Sequence, residues 1–238
     1  PPEATGQILQ AREAHALAPD EPVRFQSRRH SAYQAAIDDL LARGHAYRCP
    51  CSRKELQAHG GRHPHACRTR PPSPLQRPFA VRFKLHDEDC HWQDQLLGPQ
   101  RHPVRAELDD PVILRKEGFY AYQLAVVVDD IDQGITDVVR GSDLLDMTAQ
   151  QQQIYRALGA RPPRWLHIPV IRNEQGQKLS KQTHAPALDN SRASANLVDA
   201  LRALGQNPPN GLAQARPEQI LAWACSHWRR QAIDLTAR

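Results

Sequence analysis

The sequence lacks any apolar run near the roughly 18 residues that a bilayer-spanning helix requires. It opens Pro1-Pro2-Glu3, without the basic n-region of a secretory signal. No internal repeat recurs, which excludes solenoid and propeller architectures. An even set of cysteines is also missing: there are five, and three of them cluster. Without secretory context a disulfide framework is not expected, and metal binding is favoured. A monomeric, cytoplasmic enzyme with no membrane partner is the expectation.

What is present supports a packed fold. The 238 residues suit one full domain plus a small appendage. Hydrophobic residues make up 40% and charged residues 24%, enough for a core. Lys and Arg outnumber Asp and Glu, 31 to 26. That balance fits an anionic partner such as nucleic acid without requiring one.

Glu3 to Ala18 reads as a helix rather than an opening strand, so the chain is expected to begin inside a domain. Ser31 to Arg43 is the clearest helix. Tyr33, Ala36, Ile37, Leu40 and Leu41 fall on one face, Ser31 and Gln34 form a capping box, and Gly44 supplies the stop. Phe79 to Leu85 alternates as a strand, and His86 to Pro103 reads as a loop-rich insertion. Val112 to Arg115 and Tyr120 to Val128 read as strands. Ala125 to Val128 is continuously apolar, as in a strand buried on both faces. Ile135 to Arg140 is a further strand, and Thr148 with Gln151 caps a helix to Leu158. Gln150 to Gln153 reads as a polar helix face. Leu166 to Ile171 is another strand, with Pro169 arguing for an edge or irregular position. Asn173 to Gly176 is turn chemistry. From Ser191 onward the pattern is helical. Buried strands alternating with helices predict an α/β fold with a parallel sheet.

Three groups of residues can carry chemistry. Residues Tyr47 to Pro78 have little apolar periodicity but contain Cys49-Pro50-Cys51, His63 and Cys67. Thiolates and a neutral imidazole are the ligands of tetrahedral structural zinc, and the metal would supply folding energy that this segment lacks. His59 and His65 are rival fourth ligands. Cys90 and Cys225 stand apart and read as structural. In Lys178-Leu179-Ser180-Lys181-Gln182, two lysines on a loop beside Gly176 can reach phosphates together and neutralise a leaving pyrophosphate. A short string of this kind also fits plain solvated lysines. Arg140 ends a strand at a Gly turn, and Tyr122 precedes the apolar run. An Arg at the carboxyl end of a strand can bind a carboxylate bidentately. Pairing with Asp143 or Asp146 for stability is the alternative.

Together these strings resemble a family. Tyr120 to Asp130, then Gly134 to Asp143, then Lys178-Leu179-Ser180-Lys181 look like class I glutamyl-tRNA synthetases. The last string resembles the KMSKS loop of that class, with Leu179 for Met and Gln182 for Ser. Ser180-Lys181-Gln182 with His184 to Leu188, Gln26 to His30, and the cysteine segment resemble the glutamyl-Q tRNA(Asp) synthetase branch. The resemblance implies a class I synthetase Rossmann-like sheet with a zinc-bearing insertion and a short C-terminal helical sub-domain. It implies activation of L-glutamate with ATP and Mg2+, then transfer to the queuosine base at the wobble position of tRNA(Asp). Tyr122 and Arg140 match glutamate-binding positions. Lys178, Ser180 and Lys181 match ATP-binding positions, with Lys181 and Lys178 catalytic. Cys49, Cys51, His63 and Cys67 match zinc ligands, His63 standing where the family often has Tyr.

The family opens with a strand carrying a HIGH-like motif, and Pro1-Pro2-Glu3 resembles the stretch just after it. A truncated discriminating glutamyl-tRNA synthetase, or a non-catalytic zinc and RNA-binding remnant, is the rival expectation. The expected division is 1–46 for the rest of the N-terminal Rossmann half and 47–110 for the zinc-binding, acceptor-type insertion. Residues 111–190 form the second Rossmann half with the lysine loop, and 191–238 the helical sub-domain.

Overall fold

In the computed structural model, residues 2–58, 66–69, 78–105, 110–173, 175–179 and 187–234 are described. The chain divides into two compact units, one of Arg24–Arg140 with Leu144–His167, the other of Pro1–Val23, Gly141–Asp143 and Ile168–Arg238.

The first unit holds two small sheets and three long helices. Helix α2 (His30–Ala42) buries Tyr33, Ile37 and Leu40, the face that its periodicity predicts. Ile37 and Leu40, fully buried, each stabilise the fold by about 1.5–3 kcal/mol. The expected cap is not used. Arg29 is the N-cap residue and makes no side-chain cap bond. Gln34 instead donates to Asp38 and accepts from Tyr120. Strands β1 (Ala46–Cys49), β2 (Ala80–Phe83) and β5 (Val112–Leu114) form an antiparallel sheet in the order β1-β2-β5.

The expected loop-rich insertion over 86–103 is a hairpin of β3 (Glu88–Asp94) and β4 (Gly98–Val104), paired in register from Glu88↔Val104 to Asp94↔Gly98. Pro99 and Pro103 masked it. They are tolerated because β4 is the edge of the order β4-β3-β7-β6. Here β6 is Asp137–Gly141 and β7 is Arg164–Ile168, which runs parallel to β3. Pro169 lies just past β7, so it weakens no ladder bond.

The apolar run expected as a strand is part of helix α5 (Tyr122–Asp132). Leu124, Ala125, Val127 and Val128 are buried, and Ile131 packs beside them. That is a helical i, i+3, i+4, i+7 stripe broad enough to look continuous over four residues. Its last turn is tied to the 26–33 segment. Gln26, Arg29 and Tyr33 all donate to the Asp129 carboxylate, the Arg29 contact being 2.6 Å. The glutamine run lies on helix α6 (Thr148–Ala157), which buries Gln151, Gln152 and Gln153. Gln153 bonds both the N–H and the C=O of His86, which explains its burial. Cys90 is buried, as a structural thiol should be.

The second unit is mostly helical in its described residues. It contains α1 (Pro2–Ala14), α7 (Ala193–Ala203) and α8 (Pro217–His227). Val198, Leu201 and Ile220 form its core, with Leu197, Trp223 and Ala224 packed against them. His15 Nε2 meets Asn196 Nδ2 at 3.1 Å, fastening the end of α1 beside α7. Cys225 is exposed, which corrects its reading as structural. Among the described residues no helix is long and apolar enough to cross a membrane.

Candidate active site and metal centre

Arg140 is the penultimate residue of β6, and it is held from several sides. Its Nε donates to His167 Nε2 at 3.0 Å and one terminal nitrogen to Gln151 Oε1 at 2.7 Å. The other donates to Thr148 Oγ1 at 2.9 Å and to the Leu144 carbonyl at 3.2 Å. The guanidinium lies 4.5 Å over the Trp165 ring. Thr148 and Gln151, three apart on α6, therefore serve Arg140 and not the helix end; the N-cap residue is Met147.

Every acceptor in this cradle is neutral. Among the described residues Arg140 makes no ion pair, so neither Asp143 nor Asp146 takes it up. Burial lowers its pKa, partly offset by the nearby Tyr122 and Tyr155 phenols and by Asp130. A half-buried cation with only neutral partners is poised for an anionic ligand, because buried charge is costly until it is paired. Tyr122, the first residue of α5, is 50% exposed, and its phenol is near enough to Arg140 to raise the pKa of the guanidinium.

Sequence reasoning missed Asp94, Trp165 and His167. They reach Arg140 through the β3-β7-β6 order of the sheet, which no local pattern reveals. Thr148 and Gln151 were visible only as an i, i+3 polar pair.

Lys178 lies at the base of the lysine loop. Leu179 N–H donates to the Ile171 carbonyl, and Gly176 with φ of +76° closes the turn below it. Lys178 Nζ donates to Asp143 Oδ2 at 2.5 Å. Gly141 leaves no room for a Cβ, because the Asp143 carboxylate occupies that space. Ser180 and Lys181 lie outside the described residues, as does His63.

Cys49, at the end of β1, Cys51 and Cys67 bring their sulfurs within 4.8 Å of one another. Cys51 and Cys67 are 3.6 Å apart, and none of the three is in a disulfide. Burial, then the Cys67 and Cys49 sulfurs, push the Cys51 thiol up to about 12. A thiol that resists ionising beside two other sulfurs becomes a good ligand once a divalent cation compensates the charge. The three cysteines could hold a metal ion. Cys67 is buried and lies on the four-residue helix α4 (Ala66–Thr69). Its neighbour Arg68 reaches the fully buried Asp110 and the Leu85 carbonyl. Tyr47 also donates to Asp110, at 2.7 Å. Lys116 Nζ donates to the Pro50 carbonyl, fixing the segment between the first two cysteines.

Residues 1–205 match the model of the class I tRNA synthetases (E and Q), catalytic domain. The chain belongs to this family. A glutamyl-Q tRNA(Asp) synthetase of Pseudomonas aeruginosa (strain LESB58) is 44% identical over 236 residues, 99% of this chain and 80% of that protein. One from Vibrio cholerae serotype O1 is 39% identical over 241 residues, 100% of this chain and 79% of that protein. A solved glutamate tRNA ligase from Elizabethkingia meningosepticum CCUG26117, in complex with its amino acid, has a TM-score of 0.74 at 21% identity. The alignment covers 98% of this chain and 56% of that one, and it shows a shared fold. By family the chain is a class I aminoacyl-tRNA synthetase-like ligase, with the mixed α/β fold of that class.

Proposed function

We propose that the chain activates L-glutamate with ATP and transfers it to the queuosine base at the wobble position of tRNA(Asp). The observation that carries this reading is the Arg140 cradle, a restrained cation with neutral partners beside an exposed tyrosine. Arg140 and Tyr122 take a carboxylate of glutamate. An α-carboxylate oxygen then attacks the α-phosphorus of ATP, and the bond to pyrophosphate breaks. Lys181 and Lys178, with Ser180 and the Mg2+ that accompanies ATP, neutralise the charge that develops on the leaving group. A hydroxyl of the queuosine cyclopentene diol attacks the acyl carbon, loses its proton to solvent and releases AMP. The relatives named glutamyl-Q tRNA(Asp) synthetase support this choice of acceptor.

Zinc is the proposed metal of Cys49, Cys51 and Cys67, with His63 as fourth ligand. When bound it supplies folding energy to a segment with little core and takes no part in the reaction. The division at 46, 110 and 190, a cytoplasmic location and a monomeric state belong to the same proposal.

Glutamate-dependent ATP–pyrophosphate exchange without tRNA tests the first half. Exchange with glutamate, and not with glutamine or aspartate, is expected. No exchange with any of them, with RNA binding retained, would replace this reading by a binding role. For the second half, labelled glutamate should join tRNA(Asp) that carries queuosine. Equal labelling of tRNA(Asp) without queuosine would sink that choice of acceptor.

A further inference from the structure

We infer that Asp94 and His167 are positioning residues that fix the donor fork of Arg140. The inference rests on Arg140 as the carboxylate-binding group. Asp94 ends β3 and His167 lies on β7; both side chains are fully buried. Asp94 Oδ1 accepts the backbone N–H groups of Leu96 at 3.0 Å, Leu97 at 2.9 Å and His167 at 3.3 Å. Its other oxygen meets His167 Nδ1 at 2.6 Å. A carboxylate pinned by three backbone donors has one role left on that second oxygen, which is to accept the Nδ1 proton.

This settles the imidazole. With the proton on Nδ1, Nε2 carries a lone pair. Arg140 has donors only, so its Nε–H at 3.0 Å needs that lone pair. The opposite tautomer, or an imidazolium, would set one N–H against another. Asp94 thereby governs the Arg140 orientation at one remove, through a neutral ring. A carboxylate bonded directly to the guanidinium would compete with the substrate; a carboxylate behind an imidazole does not. Trp165 holds the guanidinium plane from one face, and its own ring stacks on His167 at 6.3 Å.

The test is a double-mutant cycle in glutamate-dependent ATP–pyrophosphate exchange. Asp94→Asn keeps the shape and the acceptor for the three backbone donors, but its amide reverses the tautomer of His167. It should raise the KM for glutamate about tenfold or more, with a smaller change in kcat. In a His167→Gln background the amide oxygen can accept from Arg140 whatever stands at 94. There Asp94→Asn should change KM by less than about threefold. An Asp94→Asn effect equal in both backgrounds, or absent from both, overturns the inference. Side-chain 15N NMR of the unsubstituted protein reads the same point without a variant. The ring signals lost in His167→Gln should report a neutral ring protonated on Nδ1 between about pH 6 and 8. An Nε2–H tautomer or an imidazolium overturns it. If the unsubstituted protein shows neither exchange nor glutamate binding, the proposed function fails while this NMR readout still decides the positioning.

Discussion

The cysteine cluster and the Arg140 cradle lie in the same compact unit, and they hold polar groups in opposite ways. Cys49, Cys51 and Cys67 crowd three like groups together, and burial drives the Cys51 thiol toward neutrality. A cation resolves that crowding by drawing off the protons. Arg140 is a charge already present, surrounded by acceptors chosen to be neutral. An anion completes it. Among the described residues the cysteines form a small cluster of their own, with Tyr47 as their apolar neighbour. Arg140 sits against the main core through Trp165. On the proposed reading, the first arrangement is held together by its metal. The second is held together already, so its substrate is free to come and go. Structural and substrate sites should therefore fail differently when broken.

The largest expected effect is on the cysteine side. Cys67→Ala should abolish stoichiometric zinc and cost several kcal/mol, about 3 or more, seen as a lower Tm and rapid proteolysis within 47–78. Metal analysis and a melting curve check it. Unchanged zinc content in the variant would show that the cluster does not hold the metal. Next comes Arg140→Met, which should raise the KM for glutamate about 100-fold while lowering Tm less than Cys67→Ala does. If both variants melt alike, the contrast between a stability device and a binding device is wrong.

The two halves of the contrast were unequally legible in sequence. The cysteine spacing announced itself, because three clustered thiols in a polar stretch have few other uses. The family resemblance singles out Arg140 and Tyr122 as a pair, but it does not point to the residues that hold Arg140. Asp94 and His167 are separated by 73 positions and meet only because β3 and β7 run side by side. The α2 face was read correctly because Tyr33, Ile37 and Leu40 follow one period. Ala125 to Val128 misled because four consecutive apolar residues satisfy both a buried strand and a broad helical stripe; Ile131, one turn further on, tips the balance to helix. The glutamine run reads as a polar helix face, yet polarity does not fix exposure: Gln151 and Gln153 are buried with the hydrogen bonds that they make.

A third prediction sharpens the substrate half. Lys181→Ala should lower kcat of pyrophosphate exchange about 100-fold, while the KM for glutamate stays within about threefold. Arg140 would then account for affinity and Lys181 for the chemical step. Equal losses of kcat and affinity in Lys181→Ala would merge the two roles.

The smallest effect comes from Asp89, a surface carboxylate on the same strand as Asp94. Asp89 accepts from Arg101 and Arg105, each at 2.7 Å, and these cations lower its pKa from 3.8 to about 2. A folded-state value below the unfolded one means the bridge stabilises above about pH 4 and is lost as pH falls through 3.8 toward 2. Because Asp89 is open to solvent, screening leaves little of that contribution. Asp89→Asn should therefore lower Tm at pH 7 by about a degree, and by less in high salt. The same substitution at Asp94, five residues along β3, removes no net charge from water but reverses a buried proton. A Tm loss for Asp89→Asn as large as that for Asp94→Asn would mean that burial and tautomer control do not set these two aspartates apart.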